Sequence, residues 1–319
     1  MYQMKVLILG LGSIGMRHAG NFESLGCNVS GFDPNTERRA KFEESISGMS
    51  YSTQDEAFEQ RPDLVVVASP NIYHLSQAKA AADQGLNLFI EKPLGTDLTD
   101  AKRFAKLAHQ KNIYVHMGSN WKFHPAFTTM KSILDQGKIG RVCGVNVIAG
   151  QWLPDWHPWE DYREMYAARK DLGGGAIFDT HELDYMTWLL GPISSFHGYK
   201  VHTGSLDIDT EDVAGAVMAF KNGAIGTLLT DYIQRVGQRS YVIFGDKGTI
   251  SWQINTGEII LTLPHLDNPQ IINVQHEDIN DMYVAQSAHI LEDLVQNRQS
   301  VTGLYHMINV LKLQTAWHN

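Results

Sequence analysis

Cysteine is scarce in this chain of 319 residues, which contains only Cys27 and Cys143. The two lie far apart in sequence and form no CxxC pair, so the chain predicts neither a disulfide framework nor a zinc knuckle. We assign no metal site, because the histidine and carboxylates at 181–184 lack the paired histidines of a metalloprotease helix. A reducing cytoplasm is the expected compartment.

Basic clusters and long apolar runs are also missing. The net charge is −9 at pH 7 and no block of five basic residues occurs, which argues against a nucleic-acid partner. The apolar run near the N-terminus stops at Gly10 and no long one follows, so we expect neither a signal peptide nor a membrane partner. Repeats and low-complexity segments are absent as well. Small molecules are therefore the expected ligands.

The chain does contain two kinds of hydrophobic pattern. Up to about residue 120, short apolar runs such as MKVLILG and LVVVAS alternate with helical patterns, which predicts a doubly wound parallel sheet. From about residue 140, longer runs such as VAGAVMAF alternate in period two and are joined by turns such as KNG, which predicts a large, open, mostly antiparallel sheet. We therefore expect an α/β Rossmann domain at 1–120 and an α+β domain at 121–319.

The first strand ends in the strongest short motif, GLGSIG, in which Gly10, Gly12 and Gly15 fit G-x-G-x-x-G. Because the motif closes an apolar strand and opens a helix, it predicts a dinucleotide site with the pyrophosphate at the helix N-terminus. Asp33 ends the second strand about twenty residues on, where it can accept a hydrogen bond from the ribose 2′-hydroxyl. This favours NAD over NADP, although the arginines at 38–39 leave a 2′-phosphate open. A glycine turn that serves only packing is the alternative.

Four motifs together carry a resemblance to a known family. They are GLGSIG at 10–15, ASPNIYH at 68–74, EKPLG at 91–95 and GGGAIFDTHELD at 173–184. In this order and spacing the chain resembles the Gfo/Idh/MocA oxidoreductases over essentially its whole length. The resemblance implies a nicotinamide-dependent enzyme acting on a sugar or cyclitol. It also implies an N-terminal Rossmann domain and a C-terminal domain whose open sheet packs against another subunit, as in a homodimer or homotetramer.

The EKP motif is the first candidate for chemistry. Pro93 holds the preceding residue out of the helical region, so Lys92 is expected in an extended turn at a strand end, where ligands of open parallel sheets bind. The resemblance implies that Lys92 lies beside the nicotinamide and the reacting hydroxyl, whose proton it can shuttle or stabilise. Glu91 is expected to orient Lys92 or the cofactor. The alternative is a solvent-exposed ion pair that caps a strand.

The second candidate lies in GGGAIFDTHELD. The resemblance implies that His181 takes the hydroxyl proton as hydride leaves carbon. Asp184 would lie on the same helix face and orient the substrate or the imidazole. Asp179 precedes His181 by two residues, whereas the family often places an aspartate about one turn earlier, so an N-cap role rivals a substrate contact for Asp179. A satisfied core histidine is the alternative for His181.

Further residues are predicted to line the site. Lys122 stands where the NxRFxP segment of the family usually has arginine, so a planar contact there is in doubt. In the aromatic stretch 151–175, whose rings can pack on a sugar, Tyr162 and Arg163 are predicted to contact the substrate. A dimer interface or packing arm is the alternative for this stretch. The remaining predicted cofactor contacts are Ser13, Ile14, Ser69, Pro70, Asn71, His74 and Asn120.

The sequence thus predicts an NAD(P)-dependent oxidoreductase that transfers a hydride between the nicotinamide and a carbinol carbon of a sugar, sugar derivative or nucleotide-sugar. Two other classes stay open. One is an NAD-dependent glycosidase or lyase that oxidises its substrate transiently. The other is a dinucleotide-binding sensor without chemistry, against which the presence of both Lys92 and His181 argues.

Overall fold

A computed structural model of the chain describes residues 3–95, 97–179, 181–275 and 278–318. The chain forms two compact units, one of residues 1–120 with 280–311 and the other of residues 121–279 with 312–319. The sequence places the boundary near residue 120 but assigns 280–311 to the second domain. The segment joins the first unit because its helix buries Ile290 and Leu291 in the core formed by the first strands.

Ten helices lie within the described residues. They are α1 (Ser13–Ser24), α2 (Thr36–Ser45), α3 (Gln54–Glu59), α4 (Asn71–Asp83), α5 (Leu98–Gln110), α6 (Pro125–Asp135), α7 (Ala176–Asp179), α8 (Glu182–Leu190), α9 (Asp281–Gln296) and α10 (Leu304–Gln314). Short 3-10 turns lie at Asn120–Phe123, Leu153–Asp155, Tyr162–Glu164, Tyr166–Ala168 and Lys170–Leu172. Several helices start at side-chain caps that the sequence makes recognisable, such as Asn35 before α2, Thr53 before α3 and Asp97 before α5.

The first unit is built on a parallel sheet. Its strands are β1 (Lys5–Leu9), β2 (Asn28–Phe32), β3 (Ser50–Tyr51), β4 (Leu64–Val67), β5 (Asn87–Ile90) and β6 (Val115–Met117). They pair in the order β3-β2-β1-β4-β5-β6, with every pairing parallel. Every residue of β4 is buried, because helices cover both faces of such a sheet. The order reverses direction beside β1, and ligands of this fold bind at the carboxyl ends of the strands at that point.

The segment 297–302, which follows α9, closes the free edge of this sheet. The backbone N–H of Met117, in β6, donates to the carbonyl of Thr302. The imidazole of His116 is fully buried and lies 2.8 Å from the Ser300 hydroxyl and 3.1 Å from the Gln286 amide nitrogen. These contacts satisfy polar groups that burial would otherwise leave without partners.

The second unit is built on a sheet of nine strands within the described residues. They are β7 (Val142–Gly150), β8 (Ile193–Val201), β9 (Val213–Phe220), β10 (Ile225–Asp231), β11 (Gln238–Gly245), β12 (Gly248–Gln253), β13 (Glu258–Thr262), β14 (Gln270–Asn273) and β15 (Trp317–His318). Their order is β14-β13-β12-β11-β7-β10-β9-β8-β15. Only the β7–β10 and β8–β15 pairings are parallel. The predicted fold class is therefore confirmed for both units.

One face of this sheet carries the core of the second unit. Phe127 of α6 lies edge-on to Tyr185, Tyr241 and Trp252, with ring centroids 5.0, 5.1 and 5.5 Å away. Along β9, inward residues such as Ala214 alternate with less buried ones, as the period-two pattern predicts. The period-two pattern therefore places alternate residues of β9 in the core of the second unit.

Candidate functional site

The glycine turn joins β1 to α1. Gly10 has a φ of +93°, and a Cβ there would lie 2.7 Å from the Cα of Ser69, so only glycine fits where the turn passes the end of β4. A Cβ at Gly15 would lie 1.9 Å from the carbonyl oxygen of Gly10, so its absence lets α1 pack closely on the strand. At Gly12 an added Cβ would meet no described atom within 4 Å. The space for a Cβ is filled at Gly10 and Gly15 but free at Gly12, so a pyrophosphate can approach the backbone there.

The start of α1 fits a phosphate group. Gly12 is the N-cap, and among the described residues no side chain caps it. The first turn, which contains Ser13 and Ile14, also carries no acidic residue. The N–H groups of this turn therefore keep their capacity to bind an anion at the positive end of the helix dipole.

Asp33 lies beside the glycine turn with its carboxylate almost fully buried. Its Oδ2 accepts from the N–H of Leu11 at 2.9 Å, and its Oδ1 accepts from the N–H of Asn35 at 2.9 Å. Arg38 approaches Oδ2 at 3.5 Å, and Arg39 donates to the backbone carbonyl of Asp33 at 2.8 Å. The carboxylate is thus fixed against the turn, and its remaining lone pairs can accept from ribose hydroxyls.

The end of β4 is tied to the end of β5 through His74. The Nδ1 of His74 lies 2.7 Å from the carbonyl oxygen of Pro93, and its Nε2 lies 2.7 Å from that of Ser69. Burial lowers the pKa of this imidazole, although the two carbonyl contacts oppose the shift. Both ring nitrogens therefore contact the chain, so His74 positions the two loops. Pro70 is exposed and Asn71 partly exposed, at the start of α4.

Glu91 follows β5 and is buried. Its Oε1 lies 2.7 Å from Nε2 of His18, and its Oε2 accepts from the N–H of Lys92 at 3.2 Å. Burial alone would raise the pKa of the Glu91 carboxyl, but the His18 hydrogen bond and charge, together with Lys92, outweigh it and lower the pKa. Glu91 is therefore a buried anion that accepts from the Lys92 backbone, and it is not part of a solvent-exposed ion pair.

Lys92 itself is half-buried and precedes a cis peptide bond to Pro93. Asn120, the last predicted cofactor contact in the first unit, follows β6 and donates from its amide to the sulfur of Met282 at 3.5 Å. The first unit thus gathers the predicted residues of the glycine turn, Asp33, Ser69 and the EKP turn at the carboxyl ends of neighbouring strands.

His181 is the N-cap of α8 in the second unit. The short helix α7 ends at Asp179 and α8 begins at Glu182, so the N-cap position of α8 is occupied by His181, whose side chain makes no capping hydrogen bond within the described residues. The side chain of Asp179 and all of Thr180 lie outside the described residues. The imidazole of His181 is partly exposed, and its ring centroid lies 5.9 Å from that of Tyr185.

Asp184 and Lys122 form a buried ion pair that the sequence did not predict. The Nζ of Lys122 donates to Oδ1 of Asp184 at 2.6 Å, and both residues are 3% exposed. Burial lowers the pKa of the Lys122 ammonium, and Asp184 opposes that shift. A buried ammonium needs such a counter-charge. Lys122 therefore contacts Asp184 and not solvent. Its side chain is not exposed for the substrate contact that the sequence predicts.

A second ion pair joins buried Glu182 of α8 to the partly buried Arg239 of β11. Arg239 approaches Glu182 with Nε 2.7 Å from Oε1, and its guanidinium lies 4.3 Å above the Trp121 ring. The other oxygen of Glu182 accepts from the backbone N–H of His181 at 3.1 Å. Glu182 thus fixes the backbone of His181. The sequence did not predict the pairing of Glu182 with Arg239. The signal that pointed to it was the charge of Glu182 at an otherwise apolar position of the helix.

The aromatic stretch 151–175 packs in a small core together with Leu206 and Tyr232. Tyr162 accepts from the backbone N–H of Asp207 at 3.2 Å. Arg163 donates from Nε to Oδ1 of Asp161 and from Nη2 to Oδ2, each at 2.8 Å, and half of its side chain is exposed. Trp159 is 76% exposed, whereas Trp156 packs edge-on to Tyr232. Tyr162 therefore ties the stretch to Asp207, and Arg163 forms an exposed pair with Asp161.

Two absences concern the described part of the chain. Among the residues described, no three His, Cys, Asp or Glu side chains come together in a group that could hold a metal ion. Within the same residues, no helix is long and apolar enough to cross a membrane.

Two family models match the chain. The model described as oxidoreductase family, NAD-binding Rossmann fold, matches residues 4–119. The model described as GFO/IDH/MocA C-terminal domain matches residues 127–251. The two matches fall in the two units in the expected order.

Relatives and solved structures extend this similarity. Levoglucosan dehydrogenase of Pseudarthrobacter phenanthrenivorans is 26% identical over 261 residues, which are 73% of this chain but only 63% of that protein. Myo-inositol 2-dehydrogenase of Thermotoga maritima is 26% identical over 266 residues, 77% of this chain and 74% of the relative. A levoglucosan dehydrogenase solved with NADH and levoglucosan has a TM-score of 0.88 at 18% identity, covering 98% of this chain and 95% of that one. At this identity the likeness shows the fold alone.

Proposed function

The chain belongs to the Gfo/Idh/MocA family of oxidoreductases, and we propose that it transfers a hydride between a nicotinamide cofactor and a carbinol carbon of a sugar, sugar derivative or nucleotide-sugar. One observation carries the proposal: a buried Glu91 anion fixes Lys92 in the same unit that holds the open glycine turn and Asp33. The relatives named for levoglucosan and myo-inositol support a polyhydroxylated substrate.

NAD is the proposed cofactor. The glycine turn and the uncapped start of α1 would hold its pyrophosphate, and Asp33 would accept from the adenosine ribose. The buried Asp33 carboxylate disfavours a 2′-phosphate, since like charges would lie close together. Arg38 already pairs with Asp33. When bound, the nicotinamide supplies the redox step.

Lys92 and His181 are the proposed proton-handling residues. Lys92 follows the end of β5, where its side-chain nitrogen can stabilise or exchange the proton of a substrate hydroxyl. His181 presents a partly exposed imidazole at the start of α8, and the hydrogen bond from its backbone to Glu182 holds it there. Asp184 is proposed to hold α8 in place through Lys122 and not to contact substrate. Tyr162 and Arg163 remain the proposed substrate contacts of the aromatic stretch.

A fluorescence titration with NADH and NADPH tests the cofactor, followed by absorbance assays with a panel of sugars and cyclitols. Tighter NADH binding and a sugar-dependent change at the nicotinamide band support the proposal. Failure to bind either dinucleotide overturns it. Release of a sugar without net absorbance change would instead indicate a glycosidase or lyase with transient redox, and binding without any reaction would indicate a sensor.

We further propose that two copies associate through the outer face of the second sheet. Asn146 of β7 pairs with Val242 of β11 and with Thr227 of β10, which in turn pairs with Val217 of β9, so these residues share one face. The large hydrophobic residues exposed there are Tyr199, Val201, Val217, Ile225, Leu229, Val242, Phe244, Ile260 and Ile271. A monomer seldom leaves such a continuous apolar surface in water.

Light scattering after size-exclusion chromatography measures this association. Leu229→Asp should shift the protein to the monomer, since a charge would be buried at the contact. Val295→Asp is the matched control, because Val295 is also exposed but lies on α9. A monomeric wild type, or equal behaviour of both variants, contradicts the proposed contact.

A further inference from the structure

His18 is a fully buried polar residue outside the predicted site. It lies on α1, three residues after Gly15, and its Nε2 is 2.7 Å from Oε1 of Glu91. A carboxylate oxygen only accepts, so Nε2 carries the hydrogen and donates. The other ring nitrogen, Nδ1, is buried without a hydrogen-bond partner in the described part of the chain. The imidazole therefore has one polar contact to Glu91 and bears the cost of a second, unsatisfied nitrogen.

Aromatic side chains fix the orientation of this imidazole. The Phe89 ring, in β5, lies edge-on to it with a centroid distance of 4.8 Å. The Tyr283 ring, in α9, lies 6.0 Å away, with the guanidinium of Arg17 4.7 Å above its centroid. His18 thus connects the helix that begins at the glycine turn with the turn that carries Lys92.

Glu91 has little room to move away from His18. A Cβ at Gly118 would lie 2.6 Å from Oε2 of Glu91, so the end of β6 packs directly against the carboxylate. The same Oε2 accepts from the Lys92 N–H. If the His18 donor were lost, the buried carboxylate would protonate or turn toward another donor, because an unpaired buried anion is costly. Either change would weaken its hold on the Lys92 backbone.

We propose that His18 is a positioning residue that acts through Glu91 to hold Lys92 in its working orientation. This rests on the proposed function only in taking Lys92 as the proton-handling group. The other titratable or charged groups around the pair are Tyr283, Arg17, His74 and Lys92 itself. Since His18 is inaccessible to solvent, it is not a catalytic residue and touches no substrate.

His18→Leu tests the proposal, with His116→Leu as a matched control. Both imidazoles are fully buried and edge-on to Phe89, at 4.8 and 5.5 Å, but His18 bonds to Glu91 whereas His116 contacts Ser300 and Gln286. We expect His18→Leu to lower kcat by about 100-fold, the size of a small misplacement of a reacting group, without changing the NADH dissociation constant. His116→Leu should lower thermal stability and leave kcat unchanged.

Amide hydrogen exchange at Lys92, followed by mass spectrometry of the protein without cofactor, gives a readout that needs no turnover. Exchange should speed up in His18→Leu and stay unchanged in His116→Leu. The inference therefore remains testable even if no sugar is oxidised, which would count against the proposed function instead. Unchanged Lys92 exchange in His18→Leu overturns the inference.

Two further variants separate positioning from general damage. His18→Gln keeps a donor and should recover most of the kcat and exchange protection lost in His18→Leu. In a Glu91→Gln background, His18→Leu should lower kcat and exchange protection much less than in the wild type. The effects of two substitutions that remove the same contact are not additive. Equal losses in both backgrounds, or a loss of NADH affinity that parallels the loss of stability, would show that His18 serves only packing.

Discussion

In the first unit, the buried carboxylates of Asp33 and Glu91 accept hydrogen bonds from backbone N–H groups of the loops after the strands. In the second unit, the buried carboxylates of Glu182 and Asp184 each lie against a side-chain cation, Arg239 and Lys122, and Glu182 also accepts from the backbone N–H of His181. The first arrangement shapes loops and leaves a carboxylate able to accept further bonds. The second neutralises charge inside a core.

The two arrangements have different energetic consequences. A carboxylate that orders a loop affects binding and turnover when it is changed, because the loop carries the functional groups. A carboxylate that neutralises a buried cation affects folding, because its loss leaves the cation unpaired.

All seven tryptophans lie in the second unit, so tryptophan fluorescence follows the unfolding of that unit, while NADH titration reports on the first unit.

Lys92→Ala should give the largest effect on function. We expect turnover to fall by about two to four orders of magnitude, the usual contribution of a proton-transfer group, with NADH affinity nearly intact. Steady-state kinetics and NADH titration measure the two quantities. Lys102→Ala, at an exposed position of α5, is the control and should change neither. Unchanged turnover in Lys92→Ala would remove Lys92 from the mechanism.

Asp184→Asn should give the largest effect on folding of the second unit. The Lys122 ammonium would stay buried without its counter-charge, which costs about 3–5 kcal/mol. Urea unfolding followed by tryptophan fluorescence measures the loss. Asp135→Asn is the control, because Asp135 pairs with Lys131 at a position where its side chain is 60% exposed, and there the loss should stay below about 1 kcal/mol.

A double variant sharpens the same comparison. Lys122→Met with Asp184→Leu removes both charges and keeps apolar volume, so it should unfold at a urea concentration close to that of the wild type. If the double variant is as unstable as Asp184→Asn, the pair contributes through its geometry and not through neutralisation of the buried ammonium.

Asp33→Asn should give an intermediate effect, confined to the first unit. Hydrogen bonds to a charged group contribute about 1.5–3 kcal/mol, so NADH binding should weaken by roughly 10-fold to 100-fold. NADPH binding should weaken less, since the repulsion of a 2′-phosphate also disappears. Titrations of both dinucleotides measure this change, with Glu37→Gln on the exposed start of α2 as the control. An unchanged ratio of the two affinities would argue against ribose recognition by Asp33.

The sequence predicted the first unit more fully than the second because its determinants are contiguous. GLGSIG contains the turn, the opening for a phosphate and the packing glycine within six residues, and Asp33 follows at the end of the next strand. The long-range pairs could not be read in this way. His18 and Glu91 are 73 residues apart, and Lys122 and Asp184 are 62 residues apart. Their pairing depends on how helices pack, which no local pattern specifies.

The placement of 280–311 shows the same limit. The apolar spacing of α9 predicts a helix but not which core receives it. Ile290 and Leu291 pack with Val6 and Ile8, about as far away in sequence as this chain allows, and Tyr114 donates to Asp293 at 3.0 Å. Choosing between the two cores needs the tertiary structure.

The smallest effect that we predict concerns acid. As the pH falls, the stability of the wild type should decrease more steeply than that of the Glu91→Gln variant. Folding lowers the pKa of the Glu91 carboxyl, so the unfolded chain binds its proton more readily than the folded chain does. The stability that Glu91 contributes is therefore complete above the pKa of an unfolded glutamate and is lost as the pH falls through the lower, folded value. Calorimetric unfolding between pH 6 and about 3.5 compares the two proteins. Parallel curves would mean that Glu91 is not held as an anion, and the contrast between the two units would then rest on Asp33 alone.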